Sequence, residues 1–150
     1  MDFIPDWAPN LHPMIIHFPI ALWMLAVLFD FSLVFRTKEW LRRAAIWMYV
    51  IGAISALAAF LSGSQAIDLV SVPMQGEVTA SKHSDWAHYT LYYLGGYALL
   101  RLFIFWQRLD KKKWVLILLF ILGATGMVLV AKTADLGGKL VYKYGVGTAK

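Results

Sequence analysis

Apolar residues fall along the chain in four runs, at about 13–35, 44–61, 85–106 and 114–131, with polar stretches between them. Each run is close to the roughly 20 residues a helix needs to cross a bilayer. The pattern predicts an all-α fold, a four-transmembrane-helix bundle forming one integral membrane domain over 1–150.

Local signals place the ends of these elements. Pro13 suits a first helical turn, with His12 at the cap. Pro19 lies inside the first run and cannot donate to the carbonyl of Ile15, so a kink is expected there. The second run carries Gly52, Ala53, Ser55, Ala56, Ala58 and Ala59, small residues that let helices approach closely in lipid. Residues 62–82, with Pro73, Gly76 and Glu77, read as an outer loop. Ser84 or Asp85 can cap the third helix. A polar tail follows from Ala134 to Gly147.

Composition strengthens the membrane reading. The chain is 60% hydrophobic and 15% charged, whereas a soluble domain is about half apolar and about a quarter charged. The net charge of +5 does not point to nucleic acid, because the bases cluster between apolar runs, where membrane proteins place them. Four lie in the loop Arg36–Arg43 and four in Gln107–Lys113. The N-terminal segment has Asp2 and Asp6 and no base, so it does not open like a secretory signal peptide, and Trp7 suits the interface. Bases in both short loops favour the cytoplasm for those loops and put both termini and all four histidines on the periplasmic or extracellular side.

The four histidines are the chemistry-bearing residues. His12 and His17 open the first run, and His83 and His88 open the third, each pair spaced by five and the pairs offset by 71. The same offset lays Gly52-Ala53 on Gly123-Ala124, Leu69-Val70 on Leu140-Val141, and one basic loop on the other. Overall identity between the halves is low; the coincidence of motif, loop and span carries the inference. It predicts two tandem helix hairpins, roughly 12–70 and 83–141, related by a pseudo-two-fold axis along the membrane normal. Asp30 then falls on Arg101, and a charge inside a span is usually paired.

With no cysteine in the chain, iron–sulfur ligation and covalent haem attachment through Cys-x-x-Cys-His are excluded. Imidazoles from two helices can still hold a b-type haem. Five residues turn a helix about 140° beyond a full turn, so His12 and His17 serve different sites unless the Pro13–Pro19 segment is distorted. His17 with His88 is the first expected axial pair, and His12 with His83 the second, for another haem or a metal ion. Gly95 lies about 10 Å below His88 on nearly the same face and leaves room for a macrocycle. Met14 beside His12 and His17 keeps copper open. A cofactor-free structural subunit is the third reading. No nucleophile–base set, carboxylate pair or phosphate loop suggests an enzyme acting alone.

The stretch Leu11-His12-Pro13-Met14-Ile15-Ile16-His17-Phe18-Pro19-Ile20-Ala21-Leu22 resembles the opening signature of the bacterial membrane family catalogued as domain of unknown function 2231. Leu136–Gly147 resembles its closing signature, and His88 is similar to the family's histidine at the head of the third span. The closing signature usually has a histidine where this chain has Tyr144, and His83 is additional. Family members are sometimes fused to Rieske or cytochrome c domains. The resemblance implies electron transfer by association only, and the expected protein is a b-type cytochrome subunit of a larger complex in the bacterial plasma membrane, exchanging electrons with a periplasmic cytochrome, a Rieske protein or quinol.

Overall fold

The computed structural model describes residues 10–36 and 38–148. Asp2, Asp6 and Trp7, with the outward-facing N-terminus and interfacial position expected of them, lie outside the described residues. The described residues form a short helix α1 (His12–Ile15) and four long ones, α2 (His17–Phe35), α3 (Glu39–Leu69), α4 (Glu77–Trp106) and α5 (Lys113–Tyr142), with no strand among them. α2 packs against α3 and α5, and α4 packs against the same two, which closes the helices into a ring.

The first apolar run is one helix interrupted at a single residue. The Asn10 side chain accepts from the His12 backbone N–H at 3.0 Å and Pro13 fills the first turn. Pro19 has no N–H to offer Ile15, and the helix restarts at His17, two residues before the proline. Pro19 then occupies the first turn of α2, where an N–H would have been unsatisfied anyway.

Two of the expected ends move. α3 runs through Ser62-Gly63-Ser64-Gln65 to Leu69, so the outer loop is confined to Val70–Pro73 and a single 3₁₀ turn, Met74–Gly76. α4 then starts at Glu77, eight residues before the cap expected at Asp85. Hydropathy marks where lipid ends; a helix satisfies its own backbone in water as well and continues beyond that point. α5 likewise continues to Tyr142 and absorbs most of the expected tail. It ends at Gly145, whose φ of +69° is left-handed and whose N–H donates to Val141. A Cβ is disfavoured there.

The fourth expected span requires a correction. Among the described residues, three stretches are long and apolar enough to cross a membrane: His12–Phe35, Glu39–Leu69 and Lys113–Tyr142. α4 is as long, but its tyrosines, paired glycines and Arg101 lower its apolarity below theirs.

Trp23 is the centre of the core, wholly buried among Ala26, Tyr49, Leu94, Tyr97 and Leu119. Its indole N–H donates to the Gly123 carbonyl at 3.0 Å. Tyr49 and Tyr97 meet it edge-on or tilted, at 4.7 and 5.6 Å between ring centres. Just below sits the charged pair that the 71-residue offset pointed to. Arg101 donates to Asp30 at 2.7 Å, and Tyr49 donates to the other carboxylate oxygen at 2.8 Å. Both charged side chains are about 1% exposed. Outside the core, Phe18, Leu28, Trp47, Ile54, Leu99 and Val128 are exposed. An apolar coat of this extent matches a lipid environment rather than water.

Candidate functional site

The histidines gather at one end of the bundle and the basic loops at the other. Arg42 and Ser62, twenty residues apart on α3, are about 30 Å apart along its axis, the thickness of a bilayer core.

α1 lies against the C-terminal part of α3. His12 Nδ1 is 3.0 Å from Ser62 Oγ. That hydroxyl donates its own proton to the Ala59 carbonyl at 3.0 Å, so it accepts from His12. The ring lies flat on the helix at Gly63, where a methyl group would come within 2.9 Å of Cε1.

His83, on the first turns of α4, meets α5 in a parallel way. Its Nδ1 is 3.0 Å from the Thr133 carbonyl, and its ring lies 3.1 Å from where a methyl on Gly137 would stand. The Thr133 hydroxyl is itself held by Thr90 at 2.8 Å. Ser62 and Thr133 are 71 residues apart, as are His12 and His83. Burial holds His83 below the ordinary histidine range, against the opposing effect of its bond to Thr133. His12 and His83 are within electrostatic reach of each other.

His88 is half-buried. Its Nδ1 is 2.8 Å from the Ser84 carbonyl one turn earlier, and its ring meets Phe60 edge-on at 4.6 Å. His17 is exposed on α2, and among the described residues no hydrogen bond or ring contact joins it to His88. Of the two expected pairs, the structure brings His12 toward His83. A methyl on Gly95 would meet nothing within 4 Å.

The hydrogen bonds assign a tautomer. A carbonyl accepts, so Nδ1 of His83 and His88 carries the proton. Ser62 has already donated, so Nδ1 of His12 carries it too. In all three rings Nε2 keeps its lone pair. Anchoring one imidazole nitrogen in this way is how proteins orient the other toward a metal. Among the described residues no group of three or more His, Cys, Asp or Glu side chains stands close enough to hold a metal ion. The donors are thus single, oriented imidazoles, His12 on α1 and His83 and His88 on α4.

Sequence reading missed Ser62, Gly63, Thr133 and Gly137, the residues that set the ring orientations. The 71-residue offset lays the hydroxyl of Ser62 on that of Thr133 and would have found the first and third. Tyr144, which stands where the resemblance placed a histidine, packs on Gly76. Gly76 immediately precedes α4, so the closing stretch lies against the start of that helix.

No curated protein and no solved structure matches this chain. One family model does, the one described as predicted membrane protein (DUF2231), over residues 8–150. That match spans every described helix and the histidine end alike, and the chain is a member of the DUF2231 family of predicted membrane proteins.

Proposed function

We propose that this protein is a b-type cytochrome subunit of the bacterial plasma membrane. In this reading a haem is held between His12 and His83 at the periplasmic end and passes electrons to a partner on that side. The observation that carries it is the matched anchoring of the two rings: each Nδ1 is bonded on a neighbouring helix, each ring rests on a glycine, and each Nε2 is left unshared. A haem needs only two axial imidazoles from the protein, whereas copper or zinc usually takes three or four protein ligands. The donor set therefore favours haem over a metal ion. Bound there, the haem supplies one-electron transfer; the protein fixes imidazole orientation and excludes water.

In this reading all four long helices cross the membrane. α4 turns Thr90, Tyr97 and Arg101 inward and leaves Leu99, Leu102 and Phe103 facing out, so its lower apolarity is an interior property. The basic loops at the far end favour a cytoplasmic position there and place the histidines outward. Two tandem hairpins account for the matched positions: Asp30 with Arg101, Ser62 with Thr133, and the buried glycines Gly52 and Gly123.

The visible spectrum of protein purified in mild detergent from haem-replete cells tests this. Dithionite should produce a b-type α-band that is lost in His12→Ala and in His83→Ala and kept in His17→Ala. A band lost in His17→Ala and His88→Ala would move the haem to that pair. A colourless protein with stoichiometric copper would replace haem by metal, and one with neither would end the cofactor reading.

A further inference from the structure

The basic end carries a second site, independent of the histidines. Both inner loops contribute to one open cleft of about 820 Å³. Its rim holds Arg42, Arg43, Arg108 and Lys111, with Glu39 as the only acid. Its wall is Leu102, Phe103 and Trp106 of α4, all exposed.

The charges on this rim are not equally occupied. Arg42 is ion-paired with Asp110 at 2.7 Å, donates to Glu39 at 3.0 Å, and lies over the Phe105 ring. Arg43 reaches Glu39 at 3.1 Å. Among the described residues, Arg108 and Lys111 make no ion pair. Arg108 moreover sits at φ +55°, in the left-handed region where a residue with a long side chain is uncommon. The chain thus places an arginine, at some conformational cost, where an asparagine or glycine would fit more easily.

We propose that this cleft binds one anionic phospholipid. The order of its chemistry along α4 matches that of the ligand. Positive charge is concentrated at the loop end, and the apolar wall runs back from Trp106 to Leu102 toward the middle of the bundle. A phosphate headgroup sits between Arg108 and Lys111, and an acyl chain lies along Leu102 and Phe103. A soluble anion would meet only the rim and leave the wall exposed. Basic pockets between membrane helices are suited to such headgroups, each base contributing attraction on the phosphate.

Native mass spectrometry of the full chain, released from a neutral detergent, tests this with phosphatidylglycerol and phosphatidylcholine of identical acyl chains. One phosphatidylglycerol should be retained at concentrations where phosphatidylcholine is not. Arg108→Asn with Lys111→Gln should weaken it about tenfold or more; both residues are exposed, and asparagine tolerates the left-handed backbone. Lys112→Gln with Lys113→Gln removes the same charge from the same loop outside the cleft and should leave binding within about twofold. Equal weakening in the two double variants would mean a diffuse surface potential and overturn the site, as would a wild type with no headgroup preference. Displacement of the lipid by millimolar glycerol phosphate would overturn the role of the apolar wall.

Discussion

The two ends of the bundle use polar groups in opposite ways. From the middle to the basic end, the buried charges are paired with one another, Asp30 with Arg101 and Asp110 with Arg42, and Tyr49 donates to Asp30 as well. At the histidine end His12, His83 and His88 each spend one nitrogen on the scaffold and keep the other. The first arrangement closes a structure. The second holds donors in a fixed direction without using them up. Burial alone does not separate the two, because both ends are polar groups set in an apolar chain, and both keep unpartnered nitrogens, Nε and Nη1 of Arg101 among them; the difference lies in whether the partner is an opposite charge or a neutral group of the scaffold.

The largest effect should come from breaking the closed end. Asp30→Ala leaves Arg101 charged and buried, and removing one partner of such a pair typically costs about 3–5 kcal/mol. Unfolding in mixed micelles should show a loss of that order, and Arg101→Ala should resemble it. The double exchange Asp30→Arg with Arg101→Asp is the sharper test. If a pseudo-two-fold axis relates the two positions, the swapped pair meets in nearly the same geometry and recovers more than half of the loss. An exchange as damaging as either single change would remove the symmetry from the argument.

At the outer end the expected effects are smaller and separable from stability. Ser62→Ala takes away the acceptor of His12 Nδ1–H. A hydrogen bond of this kind contributes about 0.5–1.5 kcal/mol, and the imidazole ¹⁵N shifts of His12 should move toward a mixture of tautomers. An unchanged Nδ1–H signature in that variant would mean that Ser62 does not hold the ring. Gly63→Ala acts through space alone. A glycine to alanine change inside a helix favours folding by up to about 1 kcal/mol, while the added methyl pushes His12 aside. Stability should therefore hold or rise while the spectrum attributed to the cofactor weakens. Loss of both together would make Gly63 a packing residue and nothing more.

These residues also show what was readable in the chain and what was not. The four helices were visible as apolar runs, and the Asp30–Arg101 contact was visible because two opposite charges stood at the offset of the histidines. The helix ends were not, since Ser62 to Leu69 is too polar for lipid and still good helix. The apolarity of α4 was overestimated, because Tyr93, Tyr97 and Arg101 find partners inside the bundle and need no lipid-like character. The packing of the histidines was not legible either: His12 lies against Ser62 and Gly63 of α3 while His17 is exposed on α2, and hydropathy alone does not say which side chain of an apolar run meets a neighbour.

The smallest effect concerns protons, and it separates the two ends under mild conditions. His83 is held below the ordinary histidine value by burial. As pH falls through about 6.5, the unfolded chain takes up a proton on this residue before the folded chain does. Stability rises with pH wherever the unfolded state binds more protons, so the folded state loses ground as pH drops below that point, until the folded His83 also titrates. A proton there also places positive charge within reach of His12, which adds to the loss. His83→Gln keeps a donor for the Thr133 carbonyl and removes the titration. Unfolding midpoints at pH 7.5 and 5.5 should therefore differ more in the wild type than in this variant. An equal difference in both would mean that the pH response arises elsewhere, and that the proton state of the outer end is not set by the burial of this ring.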